Sequence, residues 1–147
     1  MVIPIKKSVN DQPIKAANRL KGNTGEEIAC EYLRKQGFQI NDRNYRKPWG
    51  ELDIIAVKDS QIHFFEVKSI TVSRFQASAG LHNGLPAHSP EENVHEFKLK
   101  QIRKMIRTYF SERRVDEEKE FQFHVICVYM NMDRRIARVR MIRNVIL

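Results

Sequence analysis

Apolar residues recur along this chain at two different spacings, and the spacing separates helices from strands. Over residues 24–36 they follow the helical period, which is typical of one face of an amphipathic helix. Thr24 followed by Glu27 has the pattern of a capping box, so we expect this helix to begin at Thr24. Gly37 is typical of the residue that follows a helix and predicts where this one ends.

The other apolar runs predict one more helix and five strands. Residues 93–111 show helical spacing, with basic residues on the opposite side. The first three strands are separated by turns short enough for antiparallel hairpins. The second and third strands have apolar residues at both odd and even positions, as expected of strands that are covered on both faces. The expected strands are residues 38–46, 51–58, 61–70, 121–130 and 136–141.

Two segments lack such periodicity. Residues 1–21 contain prolines without sustained apolar spacing, and we expect a flexible basic tail outside the fold. Residues 71–92 are rich in Gly, Pro and Ser and are expected to form a long loop. Residues 22–147 have the length of one domain with a real core. Their order of helix, three strands, helix and two strands predicts a single α/β domain.

Charge is distributed unevenly within a net total of +8. Residues 1–21, 93–111 and 121–147 each carry five basic side chains and one acidic side chain, whereas residues 51–70 are net acidic. A basic surface binds a polyanion through counterion release, but an acidic cluster repels it unless cations lie between them. We therefore expect nucleic acid as the partner, with ordinary solvated basic faces as the alternative.

Several residue types that often carry function have a simpler structural explanation here. Cys30 and Cys127 lie far apart without metal-binding spacing, so we expect small buried residues. The five histidines also lack metal-ligand spacing. Trp49 lies between proline and glycine and is expected to anchor a turn by packing rather than to stack on a base. No apolar run is long enough to span a bilayer, and a cytoplasmic protein is expected.

Acidic and basic residues interrupt two of the most apolar predicted strands. Because side chains alternate along a strand, Glu51 and Asp53 should share one face, and Glu66 and Lys68 one face of the next strand. Neighbouring carboxylates are the ligands that Mg²⁺ prefers, with positions left for water and phosphate. Such a metal activates water and offsets phosphate charge, while Lys68 adds a fixed positive charge. We therefore interpret Asp53, Glu66 and Lys68 as the centre of a phosphodiester-hydrolysing site with Mg²⁺ or Mn²⁺ as its cofactor.

The alternative for these three residues is an ion-pair network between two strands. Their neighbours are strongly apolar, and burying unpaired charge is costly. Metal coordination is one of few ways to offset that cost, which favours the functional interpretation.

Each predicted helix offers one further site residue. Glu26 falls on the apolar stripe of the first helix, where a third metal or water ligand would explain a carboxylate; the alternative is a first turn open to solvent. Lys98 lies between Val94 and Ile102 on the second helix, where it either reaches a phosphate near the site or extends to solvent. The outward cations of this helix are expected to contact DNA phosphates and comprise Lys100, Arg103, Lys104 and Arg107.

Short motifs in the first half of the chain together resemble a known family. The motifs are Gly22-x-x-Gly25-Glu26-x-x-Ala29, Tyr32-Leu33, Gly37, Arg43-Asn44-Tyr45-Arg46, Gly50-Glu51-Leu52-Asp53 and Phe65-Glu66-Val67-Lys68. In combination they resemble the YraN family of small bacterial proteins, which is similar to the archaeal Holliday junction resolvases. The resemblance covers about residues 20–141.

The resemblance implies a restriction-endonuclease-like core of the PD-(D/E)XK kind, a mixed central sheet flanked by helices. It implies that Glu26, Asp53, Glu66 and Lys68 occupy catalytic positions of a DNA endonuclease, with branched or junction DNA as a substrate. Symmetric cleavage of such a junction requires a homodimer. Two other functions remain open: a non-catalytic nucleic-acid-binding protein of the same fold, and a scaffold whose basic helix binds an acidic protein.

Overall fold

Two helices and eight strands follow one another in the computed structural model, which describes residues 2–6, 14–72, 81–82, 85–86 and 96–147. In chain order the elements are β1 (Val2–Pro4), α1 (Ile14–Lys35), β2 (Gln39–Lys47), β3 (Gly50–Lys58), β4 (Gln61–Thr71), β5 (Leu81–His82), β6 (Leu85–Pro86), α2 (Glu96–Glu112), β7 (Phe121–Asn131) and β8 (Ile136–Ile142).

Six of the strands form one mixed sheet in the order β1-β8-β7-β4-β3-β2, and β5 and β6 form a separate two-stranded sheet. The central β4 and β7 run parallel, and every other pairing in the sheet is antiparallel. A parallel pair requires a crossover connection, and α2 lies in the segment that joins β4 to β7. The predicted α/β class, with a mixed sheet flanked by helices, is therefore confirmed.

The sheet is covered on both faces, as the apolar parity of β3 and β4 predicts. One core cluster joins α1, through residues such as Leu33, to Ile54 and Phe65 of the sheet. The other joins α2 to Ile55 and Phe64 on the opposite face. Cys30 lies in the first cluster and Cys127 in the second, and both are buried, as expected.

Helix α1 begins at Ile14, so the predicted start at Thr24 is wrong. Residues 14–21 contain several strong helix formers, and the helix continues through Gly22 and Gly25 although each costs about 1 kcal/mol relative to alanine. Thr24 lies inside the helix and is not its N-cap. The predicted end is right, because Gly37 has a left-handed backbone with φ of 88° and Phe38 N donates to Leu33 O.

The amino-terminal segment also differs from the expected tail outside the fold. Strand β1 pairs with β8 at the edge of the sheet, and Ile5 N donates to Arg135 O at 2.8 Å. Ile3 and Ile5 are buried in the cluster beneath α1. The run of Val, Ile and Pro residues at this end is too short to show a repeating pattern. The sequence therefore does not distinguish a three-residue strand from a flexible tail. Within the predicted loop 71–92, β5 and β6 form a short hairpin, and most other positions lie outside the described residues.

Two histidines are buried side by side in the sheet. His124 Nδ1 accepts from Asn144 N at 3.2 Å, so the neutral ring carries its proton on Nε2, 3.0 Å from His63 Nδ1. Burial is the main cause that lowers the pKa of both rings, to about 4 for His124. Both rings are buried in the sheet, whereas the side chains of the other three histidines lie outside the described residues.

This pair predicts an acid-sensitive contribution to stability. A histidine whose pKa is lowered by folding stabilises the protein above its unfolded pKa near 6.5, and the contribution is lost as pH falls towards the folded pKa. We compare the wild-type protein with the variant His124→Gln. Groups that do not interact with His124 titrate in both proteins, so their contributions to the pH dependence cancel. From pH 7.5 to 5.5 the wild-type advantage in unfolding free energy should shrink by about 1 kcal/mol. Urea unfolding at both pH values measures it, and a constant or growing advantage would contradict the assignment.

Candidate active site between two central strands

The site forms where β3 and β4 part. Their ladder ends at the pair Ile54 and Phe65, whereas β3 remains paired to β2 as far as Gly50 and β4 remains paired to β7 as far as Thr71. Asp53 is the first residue of β3 beyond the last pair, and Glu66 is the first such residue of β4. Both carboxylates therefore lie at the opening between two central strands.

The Asp53 side chain replaces a ladder bond at this opening. Its Oδ2 accepts the backbone N–H of Val67 at 2.7 Å. Leu52 packs in the α2 cluster and Ile54, two residues later, in the α1 cluster, so the strict alternation of faces is broken at Asp53. The alternation of side chains along a strand correctly predicts that Asp53 and Glu66 are neighbours. It does not predict that the alternation between the two faces is interrupted at Asp53.

Two lysines from different elements share one oxygen of Glu66. Lys68 Nζ lies 3.1 Å and Lys98 Nζ 3.3 Å from Glu66 Oε1. Glu66 is only 6% exposed, so this buried charge needs such partners. Of the two interpretations of Lys98, the structure therefore favours a position at the site.

Electrostatics at Asp53 indicate that the carboxylates crowd each other. Burial, with 6% of the residue exposed, and the charge of Glu66 raise the pKa of Asp53 to about 7, against the opposing effect of the Val67 hydrogen bond. Glu26 and Glu51 contribute in the same direction. A positive group placed among these carboxylates would offset both causes, because it favours their charged forms.

Glu26 approaches the opening from α1. Its side chain is 15% exposed, and among the described residues its buried Oε2 has no hydrogen-bond partner and lies 4.0 Å from Arg43 Nη2. Glu27 is 64% exposed and holds Arg43 Nη1 at 2.6 Å instead of closing a capping box. The predicted difference between the inward Glu26 and the outward Glu27 is right, although the predicted reason for Glu27 is wrong.

Arg43 is the site-adjacent residue that sequence reasoning did not select. It extends from β2 to both glutamates of α1 and so ties the helix to the sheet next to Asp53. The available signal was the motif Arg43-Asn44-Tyr45-Arg46, in which charge alone does not distinguish Arg43 from Arg46. Arg46 instead pairs with Glu51.

The donor set fits a hard divalent cation with few protein ligands. Asp53 and Glu66 supply neighbouring carboxylates at the opening, and the buried Oε2 of Glu26 is an unsatisfied acceptor close by. Within the part of the chain that the structure describes, however, no three Cys, His, Asp or Glu side chains form a complete ligand group. Glu26 as a third direct ligand and Glu26 as a ligand of the water therefore both stay predictions.

The predicted outward cations of α2 do not share one environment. Lys100 pairs with Glu96, and Lys104 lies over the ring of Trp49. Arg103 and Arg107 line a cleft of about 400 Å³ with Ile106, Phe110, Glu117, Phe121 and Leu147.

Trp49 anchors the β2–β3 turn on α2, as expected. Its Nε1 donates to Thr108 Oγ1, and its carbonyl oxygen accepts from Gln101 Nε2 at 2.8 Å. The turn that precedes Asp53 is thus fixed to the helix that carries Lys98.

A mixed sheet between two helices, with charged residues where its central strands part, defines an α/β protein compatible with a restriction-endonuclease-like core. The chain belongs to the uncharacterised protein family UPF0102, whose sequence model matches residues 25–128. This is the YraN family, so the resemblance seen in the motifs is confirmed.

Relatives in several bacteria support the same assignment. The chain is similar to a UPF0102 protein of Campylobacter lari, with 38% identity over 75% of this chain and 84% of the relative. It is 33% identical to one from Caldicellulosiruptor saccharolyticus over 84% of this chain and 93% of the relative. Among the described residues, no helix is long and apolar enough to cross a membrane.

Gly25 sets how closely α1 approaches β4 beside the site. A Cβ atom at this position would lie 1.7 Å from Ser69 Oγ and 2.9 Å from Ser69 Cβ. We expect Gly25→Ala to lower the unfolding free energy by about 1–3 kcal/mol through overpacking, although alanine is the better helix former.

The double variant Gly25→Ala/Ser69→Gly provides the control, because Ser69→Gly removes both clashing atoms. Urea unfolding of the two single variants and the double variant should give a favourable coupling energy. Strictly additive losses would show that the close approach of Gly25 and Ser69 does not hold the helix in place.

Proposed function

We propose that this protein is a metal-dependent endonuclease that hydrolyses phosphodiester bonds in DNA. The observation that carries the proposal is the buried pair Asp53 and Glu66, placed where two central strands part and joined there by Lys68 and Lys98. Buried charges of this kind are costly for a fold and cluster at functional sites.

Asp53 and Glu66 would hold the cation, with its remaining positions open to water and a phosphate oxygen. A bound Mg²⁺ or Mn²⁺ supplies Lewis-acid stabilisation of the phosphate charge. Lys68 and Lys98 contact Glu66 at hydrogen-bonding distance. They place fixed positive charge beside the opening between β3 and β4.

Glu26 would orient or deprotonate the attacking water. Its buried Oε2 has no hydrogen-bond partner in the described part of the chain and can accept one from water, while Arg43 Nη2 lies 4.0 Å away and orients the carboxylate. A positioned carboxylate of this kind contributes about 10²–10⁴-fold to a hydrolysis rate.

DNA is favoured as the substrate by the basic surface of α2 and by the family resemblance to junction resolvases. Lys104 and Arg107 are exposed on this helix, which also carries Lys98 to the site. Branched or junction DNA is the substrate class that the resemblance suggests, with a homodimer as the form that cuts a symmetric junction.

One observation favours a second candidate function, a nucleic-acid-binding protein without catalysis. Lys68 and Lys98 both form ion pairs with Glu66, and these ion pairs compensate its charge. A chain that has lost activity would retain such an ion-pair network.

Cleavage assays separate these two functions. The purified protein is incubated with linear, flapped and four-way DNA, with and without Mg²⁺ or Mn²⁺. We expect metal-dependent cleavage, lowered at least about a hundredfold in Asp53→Asn and Glu66→Gln. Glu51→Gln is the matched control, since Glu51 lies on the same strand but is occupied by Arg46. DNA binding without metal-dependent cleavage of any of these DNAs would support the second function instead.

The two adjacent glutamates of α1 provide a sharper comparison. Glu26→Gln should lower the cleavage rate by about 10²-fold or more, since an amide is a poor base. Glu27→Gln, on the exposed side, should weaken the Arg43 ion pair and change the rate only slightly. Single-turnover rates measured with melting temperatures test this. Equal rate losses at unchanged melting temperature would refute the separate role of Glu26.

A further inference from the structure

Helix α2 exposes a large aromatic side chain beside the candidate site. Phe97 is 77% exposed, although the helix that carries it is otherwise amphipathic and buries its apolar residues from Ile102 onward. The next residue, Lys98, contacts Glu66. The exposed ring provides a flat apolar face next to a lysine of the site, and such a face can stack on a base.

Phe97 lies on the same side of α2 as Trp49. Gln101, Lys104 and Thr108 follow Phe97 at intervals of three or four residues, which places them along one line of the helix. All three contact Trp49, which is itself 39% exposed. We call the line formed by Phe97, Gln101, Lys104 and Trp49 the aromatic strip.

The charge around the aromatic strip is positive. Lys98 is at its start, Lys100 is 65% exposed on the adjoining turn, and Lys104 lies within it. Glu96 is the only acidic residue among the first sixteen of this helix, and it pairs with Lys100. Aromatic rings between cations match a polyanion whose units also carry flat rings.

Both aromatic residues of the strip adjoin elements of the candidate site. Trp49 immediately precedes β3, four residues before Asp53, and Phe97 is next to the lysine that reaches Glu66. A nucleic-acid strand stacked on Phe97 would therefore lie next to the lysine that contacts Glu66.

We propose that the aromatic strip binds unpaired DNA, with a base stacked on Phe97 and the flanking phosphates on Lys100 and Lys104. Only an unpaired or displaced base presents its face to a side chain, so the strip selects single-stranded segments or the unpaired arms of branched DNA. The inference deepens the proposed function by naming the structural state of the substrate next to the site.

The single tryptophan of the chain is a built-in reporter of this binding. Trp49 fluorescence is titrated with a short oligothymidylate and with an abasic oligomer of equal length and charge, in EDTA so that cleavage does not contribute. Phe97→Leu keeps an apolar side chain but removes the ring face, and Phe97→Tyr keeps the face. Met132→Leu is the control, because Met132 is exposed on the turn between β7 and β8.

We expect Phe97→Leu to weaken oligothymidylate binding about tenfold, within the range for loss of one stacked base. Phe97→Tyr and Met132→Leu should bind like the wild-type protein. The abasic oligomer should bind the wild-type protein more weakly than oligothymidylate, and Phe97→Leu should bind both oligomers alike.

Equal binding by Phe97→Leu and the wild-type protein would overturn the inference, as would equal affinity of the wild-type protein for both oligomers. Sedimentation of both proteins tests a second copy of the chain as the occupant; loss of self-association in Phe97→Leu with unchanged DNA binding would show that a protein contact covers Phe97. The fluorescence measurement of binding does not depend on catalysis. If the protein stacks a base on Phe97 but does not cleave DNA, only the proposed function is refuted. If it cleaves DNA without stacking, only the proposed role of the aromatic strip is refuted.

Discussion

The hydrogen bond from Val67 N–H to the Asp53 carboxylate is the interaction on which the site depends. Two central strands cannot part inside a sheet without leaving backbone donors unpaired, and a buried unpaired donor costs about 1–3 kcal/mol. Asp53 Oδ2 accepts the hydrogen bond of the Val67 N–H at the point where the β3–β4 ladder ends. The opening between the strands is therefore stabilised by the same side chain that gives it negative charge.

Both faces of the sheet contribute to this opening because a helix packs on each. From α1, the close contact of Gly25 with Ser69 brings Glu26 towards Asp53, and Arg43 ties the same turn to β2. From α2, Lys98 reaches Glu66, and the packing of Trp49 fixes the preceding turn of β3. The result is an acidic centre in a basic protein, in which two lysines compensate the charge of Glu66.

The elements that the sequence predicts well are those in which local and tertiary signals agree. The central strands have apolar residues at both odd and even positions, and Gly37 has a backbone conformation that favours glycine. The positions of these strands and the end of α1 therefore follow from residue type. The early start of α1 and strand β1 could not be predicted in the same way, because a capping pattern at Thr24 competed with modest helix propensity, and three residues show no period. Asp53, Glu66 and Lys68 stand out as charges within apolar strands. The role of Arg43 depends on the packing of α1 against β2, which no local pattern contains.

Calorimetric titration of Mn²⁺ tests most directly whether Asp53 and Glu66 form a metal site. Asp53→Asn is the decisive variant, because its amide oxygen can still accept from Val67 N–H, so the strands keep their opening while one charge is removed. We predict one binding event in the wild-type protein that is lost in Asp53→Asn and in Glu66→Gln and preserved in Glu51→Gln. Unchanged Mn²⁺ binding in the first two variants, with melting temperatures like that of the wild-type protein, would contradict the two-carboxylate site.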